Sequence, residues 1–358
     1  MSLAASDDRI AGRPLVEERL REVFDQGRAR ARRYGEQFEQ LWTLAGRTVL
    51  GGKLVRPMLL VDVWAALSPT APEERRETVI DLAVALELLH YSFLLHDDII
   101  DGDLLRRGRP NLIGALLDST ASDPRRAMHW AHTGGILMGD LLLAESHQVF
   151  ARAELPQQQR LRLLDLLQHT VVESVAGEHT DVGLADEMVA AELATILAMT
   201  SHKTATYTFE LPLRMAAVLA GAREGIEDRL GAIGLHVGLG FQLQDDLLSA
   251  FGDPDCHGKD RFSDLREGKQ TAIVAHARHT PAWSRIEPLL GRPGLTEEQA
   301  EQLSQLLADC GAKAFVEGLV EEQLRSAQAL IGGGDHDLPV GVRRVLLGMV
   351  DQLRGRRT

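Results

Sequence analysis

The segment HDDIIDGDLLRRGRPN, residues 96–111, concentrates side chains that suit a metal ion. Asp97 and Asp101 are four residues apart, so on a helix they share one face, with Asp98 beside them. Carboxylates at this spacing repel one another, and a divalent cation would relieve the repulsion. Mg²⁺ suits such a site because it takes oxygen ligands and is commonly held by one or two carboxylates together with substrate phosphates. A solvated acidic helix end would show the same spacing, so other segments must distinguish the two interpretations.

A second acidic doublet, Asp245 and Asp246, ends another apolar segment. The preceding residues 230–244, LGAIGLHVGLGFQLQ, are rich in glycine, and each glycine inside a helix costs about 1 kcal/mol relative to alanine. Repeated glycines therefore indicate close packing against another helix or a bound chain. The loop that follows carries Lys259 and Lys269, each after a glycine, and is either a solvated charged loop or a lid over an anion.

Basic side chains and a histidine accompany the first acidic segment. Lys53 and Arg56, in the motif GGKLVRP, are three residues apart and face one direction on the helix predicted to begin there. His90 lies two helical turns before Asp97 on the same side of its helix. Each of these residues also has an ordinary interpretation, as a surface cation or as a core histidine.

Composition and charge limit the classes of function. The 358 residues carry a net charge of −13, which speaks against general nucleic-acid binding and against attraction to anionic membranes. No apolar run reaches about 18 residues, so the sequence predicts no membrane span and no stable membrane insertion. Cys256 and Cys310 lie in no CxxC or Cys/His cluster, which argues against zinc and disulfides and favours a reducing cytoplasm. The polar N-terminus, without an apolar signal segment, agrees with that location.

The composition predicts an all-α fold, because leucine and alanine abound, aromatic residues make up 4%, and strand-like alternation is nearly absent. Residues 1–12 are expected to be disordered, and residues 13–358 are expected to form one all-helical domain. The chain between residues 111 and 124 is expected to be loose. Apolar periodicity predicts helices over residues 14–50, with a break near Gly35, and over 78–101, 127–152, 156–181 and 187–200. After a break at Lys203 and Thr204, a further helix is predicted to reach Gly221, and another to run from residue 226 to the second acidic doublet. Two or three more are predicted within residues 296–354.

Two acidic clusters thus end two apolar helices, and cations follow each cluster. If the two helices face each other across a cavity, carboxylates and cations form the rim of an apolar well. Such a well fits a ligand with a diphosphate head and a hydrocarbon tail. Carboxylates would hold Mg²⁺, Mg²⁺ would hold the diphosphate, and Arg and Lys would take the remaining oxygens.

The order and spacing of the motifs resemble the all-trans isoprenyl diphosphate synthases, also called the polyprenyl synthetase family, over residues 40–350. The matching motifs are GGKLVRP, LLHYSFLLHDDIID, DLLRRGRP, the pair Lys203–Thr204, FQLQDD and GKQT. The resemblance implies the isoprenoid synthase fold, which is an all-α bundle of long helices around a deep central cavity, and it implies a homodimer. It also implies Mg²⁺ as the cofactor, about three ions per active site, with Mn²⁺ as a substitute.

The resemblance also implies three groups of site residues. The metal ligands would be Asp97, Asp98, Asp101, Asp245 and Asp246. The allylic diphosphate would meet Arg106, Lys203, Thr204, Gln242, Lys259 and Lys269. Isopentenyl diphosphate would meet Lys53, Arg56, His90 and Arg107. The residues expected to matter most for catalysis are Asp97, Asp101, Arg106, Lys203, Asp245 and Lys259.

The implied reaction joins isopentenyl diphosphate head to tail to dimethylallyl, geranyl or farnesyl diphosphate. Mg²⁺ and cations stabilise charge on the departing pyrophosphate, the allylic C–O bond breaks, and the isopentenyl double bond attacks the resulting cation. A proton then passes to the released pyrophosphate, so no protein base is required. The cavity must exclude water, which would quench the cation.

Two positions depart from the family pattern. The second acidic motif ends in Ser249 where the family usually has aspartate, and a hydroxyl is a weaker Mg²⁺ ligand than a carboxylate. Because Asp245 carries most of the second-site coordination in the family, we expect activity to survive. Glu178 stands where glutamine is more common, and it adds negative charge near the metal site.

Product length should depend on the residues one turn before the first motif. One helical turn rises about 5.4 Å, close to one isoprene unit, so a bulky side chain there would act as a floor. Phe93 is bulky and Ser92 beside it is small. The resemblance suggests products of fifteen to twenty carbons, and we predict geranylgeranyl diphosphate, with farnesyl diphosphate or a longer polyprenyl diphosphate as alternatives.

Other classes of protein explain the sequence less completely. A terpene cyclase would share the fold and the acidic site but would not need Lys53, Arg56, His90 and Arg107. A non-catalytic partner subunit is favoured by Ser249 alone. A plain helical scaffold would leave the paired acidic helix ends unexplained.

Overall fold

The computed structural model describes residues 7–106, 108–120, 123–252, 262–333 and 338–355. These residues are mostly helical. The strands among them are short, since Leu105–Arg106 (β1) and Arg109–Pro110 (β2) form one antiparallel pair, with Arg106 opposite Arg109. The predicted all-α class is confirmed.

The chain divides into two compact units. The first comprises Met1–Asp165 with Val218–Gly221, and the second comprises Leu166–Ala217 with Ala222–Thr358. Compactness does not show whether a unit folds alone, so the single domain predicted for residues 13–358 stays a prediction.

The first unit is built around one central helix. Its helices are α1 (Asp7–Ala31), α2 (Glu36–Val49), α3 (Val55–Leu67), α4 (Glu73–Ile100), α5 (Leu112–Asp118) and α6 (Pro124–Arg152). A 3-10 turn, Arg32–Tyr34, is followed by Gly35, which has a φ of +111°, so the predicted break there is confirmed. Helix α4 packs against α1, α3 and α6, and most of its apolar residues are buried.

Three helices of this unit begin earlier than predicted, and one of them, α6, begins at Pro124 rather than residue 127. Helix α1 begins at Asp7, inside the stretch expected to be disordered, because propagating an existing helix gains one hydrogen bond for each residue that it fixes. Helix α4 begins at Glu73 rather than residue 78. Glu73 and Glu74 occupy its first turn, where the helix dipole favours negative charge.

Helix α5 occupies part of the stretch expected to be loose. The side chain of Asn111 caps it by accepting a hydrogen bond from the Gly114 amide at 2.9 Å. Such caps satisfy an amide that the helix leaves without an internal partner. The prediction of a loose segment was wrong for residues 112–118 because it overlooked this cap.

Helix α4 is long and apolar enough to span a membrane, although no apolar run in the sequence suggested one. In the window that meets this criterion, 72% of the residues are buried inside the fold. A core helix passes the same test, and the burial identifies α4 as a core helix.

Helix α7 (Gln157–Ala185) contributes residues to both units. The remaining helices are α8 (Leu193–Thr200), α9 (Leu211–Leu219), α10 (Glu224–Phe251), α11 (Ser263–Glu267), α12 (Ala272–Arg278), α13 (Trp283–Ile286), α14 (Glu297–Asp309), α15 (Ala312–Gly332) and α16 (Val340–Arg354). The last three confirm the amphipathic helices predicted within residues 296–354. Helix α8 begins later than the predicted residue 187, because Glu187 has a φ of +58°, which a helix cannot include.

The predicted break at Lys203 is absent. Residues Ser201–Glu210 form a π-helix that joins α8 directly to α9. π-Helical turns are rare and occur frequently at functional sites. The sequence suggested a break because polar residues interrupt the apolar pattern there, but a wider turn accommodates them without ending the helix.

Glycines allow the neighbouring helices to approach the π-helix closely. A Cβ on Gly177 of α7 would lie 2.4 Å from the Lys203 amide nitrogen. A Cβ on Gly238 of α10 would lie 2.6 Å from the Cα of Ala205. The sequence prediction that the glycine-rich run packs closely against another helix is confirmed for α10.

Candidate active site

The C-terminal end of α4 presents the first acidic motif. Asp98 is 2% exposed, and its Oδ1 accepts hydrogen bonds from Arg106 Nη2 at 2.5 Å and from Nε at 3.1 Å. The side chain of Asp97 is 24% exposed and lies 3.5 Å from the same guanidinium. Asp101 is the C-cap residue, and its amide donates to the Asp97 carbonyl at 2.9 Å. Asp97 and Asp101 therefore remain accessible, whereas Asp98 binds Arg106 inside the fold.

The β-hairpin that carries Arg106 is fixed against the helices on either side of it. Asn111 donates from Nδ2 to the Asp103 carbonyl at 2.8 Å, and its amide donates to the Leu104 carbonyl at 3.0 Å. A Cβ on Gly114 would lie 2.3 Å from the Leu104 carbonyl oxygen, so only glycine permits this approach. Arg106 is thus held by backbone contacts as well as by Asp98.

Burial and neighbouring charges shift the titration of this cluster. Burial raises the pKa of Asp98 to about 6 although Arg106 opposes the shift, and the carboxylates of Asp97 and Asp103 raise the pKa further. Burial acts to lower the pKa of Arg106, but the adjacent carboxylates outweigh it and raise that pKa above its ordinary value. Near neutral pH the two side chains therefore form an ion pair.

The donor atoms at this end of α4 suit Mg²⁺. The described residues contain no group of three or more His, Cys, Asp and Glu side chains arranged to hold a metal ion. Mg²⁺ rarely uses such a cage, because it keeps waters and is completed by substrate phosphates. Accessible carboxylates on Asp97 and Asp101 provide the oxygen ligands that it requires.

Three of the residues predicted for isopentenyl diphosphate lie in the same unit. Lys53 is exposed just before α3, Arg56 is half-buried in its first turn, and His90 is half-buried on α4. Lys53 precedes the helix rather than lying on it, because Leu54 adopts the left-handed conformation, with a φ of +52°. This conformation is strained for leucine, and such strain clusters at functional sites.

The residues predicted to limit product length differ in their surroundings. Phe93 is half-buried on α4. Ser92 is fully buried, and its hydroxyl donates to the Gly139 carbonyl of α6 at 2.8 Å. Ser92 thus joins α4 to α6, and a role for either residue in product length stays a prediction.

In the second unit, the π-helix places Lys203 beside two carboxylates of α7. Its Nζ is 2.8 Å from Glu178 Oε2 and 2.6 Å from Asp181 Oδ2. Thr204, which follows it, is half-buried. Asp181 was missed as a site residue, although its spacing of three from Glu178 on a helix could have indicated that both reach the same partner.

The second acidic motif lies in the same unit, in the last two turns of α10. The prediction that the doublet ends this helix was wrong, because the buried Leu247 and Leu248 continue it to Phe251. Asp245 is half-buried and Asp246 is buried. Gln242, one turn earlier, donates from Nε2 to Asp246 Oδ1 at 2.9 Å. Asp246, like Asp98, thus binds a neighbouring side chain inside the fold. Asp245 is the more accessible carboxylate of the doublet.

Ser249, which replaces the last aspartate of this motif, has a structural role. It is 2% exposed, its Oγ accepts from the Asp264 amide at 3.3 Å and lies 3.2 Å from Ser263 Oγ. Its carbonyl accepts from the Phe262 amide at 2.9 Å. Ser249 therefore holds the start of α11, and these contacts give a structural reason for a serine at this position.

Of the remaining predicted cations, Lys269 is described by the structure. Lys269 lies 3.1 Å from Glu267 Oε2, and its amide donates to the Asp264 carbonyl at 2.9 Å. Arg107 and Lys259 lie outside the described residues.

Comparison with known proteins identifies the family. The Polyprenyl synthetase family model matches residues 39–307. A geranylgeranyl diphosphate synthase of Methanosarcina mazei is 31% identical over 271 residues, which are 75% of this chain and 76% of the relative. A geranylfarnesyl diphosphate synthase of Aeropyrum pernix is 30% identical over 284 residues, covering 78% and 83% of the two chains.

One solved structure matches the fold of this chain and has a name similar to those of these relatives. Geranylgeranyl pyrophosphate synthase of Corynebacterium glutamicum, complexed with isoprenyl diphosphate and magnesium, matches with a TM-score of 0.87 at 28% identity. The match covers 96% of this chain and 98% of that one. By its motifs, its helices and these matches, the chain belongs to the polyprenyl synthetase family.

Proposed function

We propose that the protein is a Mg²⁺-dependent prenyltransferase that condenses isopentenyl diphosphate with allylic diphosphates, head to tail, to give geranylgeranyl diphosphate. Family membership supports the reaction, and the names of the Methanosarcina mazei and Corynebacterium glutamicum relatives support the product. The Aeropyrum pernix relative is named for a longer product, and product sizing distinguishes the two chain lengths.

The observation that carries this proposal is the contact of Arg106 with the end of α4. The accessible carboxylate of Asp97 lies 3.5 Å from the guanidinium of Arg106, which the hairpin fixes in place. A carboxylate surface alone would repel a diphosphate, and a cation alone would not hold a divalent metal. Together they suit the complex of a divalent metal with a diphosphate.

The protein's own groups have distinct parts in this reaction. Asp97, Asp101 and Asp245 would hold Mg²⁺, three ions per site with Mn²⁺ as a substitute. Bound Mg²⁺ would neutralise charge on the departing pyrophosphate. Arg106 and Lys203 would donate hydrogen bonds to its oxygens and stabilise the charge as the allylic C–O bond breaks.

The later steps need little from the protein beyond positioning. Lys53, Arg56 and His90 would orient isopentenyl diphosphate so that its double bond attacks the allylic cation. The new C–C bond leaves a cation on the former isopentenyl unit, and the proton that this cation loses would pass to pyrophosphate. Apolar residues of α4, including Phe93, would keep water from the cation.

A homodimer is part of the proposal. Trp130, Leu137 and Ala144 lie at seven-residue intervals on α6, and all three are exposed. Residues at this spacing share one face of a helix, and an exposed apolar stripe of this kind suits packing against the same helix of a second copy. We also propose a cytoplasmic location, for which Cys310, a free thiol, is suited.

The decisive experiment is incubation of the protein with isopentenyl diphosphate, Mg²⁺ and each allylic diphosphate in turn, followed by product sizing. We expect the allylic chain to be elongated to twenty carbons, and we expect no elongation when a chelator removes the metal. Asp97→Asn should reduce turnover by about a hundredfold or more, because a neutral amide stabilises a divalent ion poorly. Cyclised products without elongation would instead support a terpene cyclase.

A further inference from the structure

Lys203 lies between two carboxylates of α7. One ammonium group contacts two carboxylates, those of Glu178 and Asp181, at 2.8 and 2.6 Å. The three side chains are similarly enclosed, with exposed fractions of 21% to 22%, so the charges interact more strongly than they would on an open surface. An anion that approaches Lys203 therefore also approaches the carboxylates of Glu178 and Asp181.

The backbone prevents this cluster from relaxing by separation of its helices. Gly177 precedes Glu178, and a Cβ on it would lie 2.4 Å from the amide nitrogen and 2.7 Å from the Cα of Lys203. The two backbones are therefore in direct contact beside the ion pair. The backbone of α7 at Glu178 is therefore held next to Lys203, which keeps the carboxylate within reach of the ammonium group.

We propose that Glu178 is a positioning residue that holds Lys203 in place and whose negative charge limits how tightly the site retains pyrophosphate. The inference rests on the proposed function, in which Lys203 binds the diphosphate group. Pyrophosphate is both the leaving group and a product, so a site that binds it too tightly turns over slowly. A neutral glutamine could still accept the hydrogen bond from Lys203, but it would not repel the anion.

The test is the affinity for inorganic pyrophosphate in the presence of Mg²⁺, measured by calorimetry on the full-length protein. Glu178→Gln should bind pyrophosphate about tenfold more tightly than wild type, since one nearby repulsive charge is removed. In steady-state assays the same variant should show stronger product inhibition and a lower KM for the allylic diphosphate, without a higher kcat. A merely structural role predicts the opposite, because loosening Lys203 would weaken binding.

Glu173→Gln is the matched control. Glu173 lies on the same helix and pairs with His202 at 3.3 Å rather than with Lys203. Its substitution should leave the affinity for pyrophosphate within about twofold of wild type. Asp181→Asn is a second variant for the proposal, and it should also tighten pyrophosphate binding.

The outcomes separate this inference from the proposed function. If wild type binds pyrophosphate and Glu178→Gln and Asp181→Asn bind it equally or more weakly, the inference fails while the proposed function stands. If wild type does not bind pyrophosphate with Mg²⁺, the proposed function itself fails. Tightening in Glu173→Gln as well would show a general charge effect and would overturn the specific role of Glu178.

Discussion

Within each aspartate doublet, the two residues have different surroundings. Asp98 is buried against Arg106 and Asp246 is also buried, whereas Asp97 and Asp245 are half-buried. The sequence identifies both doublets, because carboxylates at helical spacing are visible in it. It cannot show which residue turns inward, because that depends on the hairpin and helices that pack against each motif.

The titration of Asp98 should affect stability in a defined pH range. Its pKa is raised to about 6 from 3.8, first by burial, so the folded protein holds this proton more tightly than the unfolded chain. Its contribution to the free energy of unfolding is therefore complete below about pH 4 and is lost as the pH rises through about 6, by at most about 3 kcal/mol. Denaturant unfolding at several pH values, in buffer with a chelator, measures this slope.

Asp98→Asn provides the comparison, because asparagine does not titrate in this range. The stability of wild type relative to this variant should decrease between pH 4 and pH 6. A difference that is constant across these pH values would show that Asp98 does not titrate as its burial indicates.

Phe93 should limit the length of the product. Replacing it with alanine removes the half-buried aromatic ring one turn before Asp97, and the prenyl chain should then extend by at least one isoprene unit, about one helical turn. Product extraction and chromatography measure the change. Leu94→Ala is the control, since the next residue points to a different side of the helix. An unchanged product profile in Phe93→Ala would exclude Phe93 as the floor.

The helical elements were easier to predict than the contacts between them. Long amphipathic segments gave α1, α6 and α10 approximately, because apolar periodicity is local. The π-helix of residues 201–210 was not predicted, since its hydrogen-bond pattern depends on packing between α7 and α10. The glycines at 177 and 238 show where that packing occurs, but only the structure shows their partners.

Gly177 should be required for the position of the π-helix. A methyl group there would overlap the backbone of Lys203, so Gly177→Ala should lower the free energy of unfolding by about 1–3 kcal/mol and reduce turnover. Gly318→Ala is the matched control. Gly318 lies within helix α15 with nothing within 4 Å of an added Cβ, so this change should stabilise the protein by up to about 1 kcal/mol. Equal effects of the two substitutions would contradict the close contact at Gly177.

At the scale of the whole molecule, the sequence predicts the fold class and the family better than it predicts assembly into a dimer. The fold class and the family follow from motifs whose order is preserved over most of the chain. The exposed stripe on α6 was not recognised from the sequence. In the sequence, Trp130 and Leu137 look like core residues. Only the packing of the first unit shows that they are 49% and 50% exposed.

That stripe makes a specific prediction about assembly. Light scattering coupled to gel filtration should give wild type about twice the chain mass of 39.3 kDa. Leu137→Glu should shift the protein toward the monomer, because it places a charge in the centre of an apolar helix–helix contact at a cost of several kcal/mol. Met188→Glu alters another exposed apolar residue, 84% exposed, and should leave the mass unchanged. A monomeric wild type, or a dimer that tolerates Leu137→Glu, would show that the stripe on α6 does not join two copies.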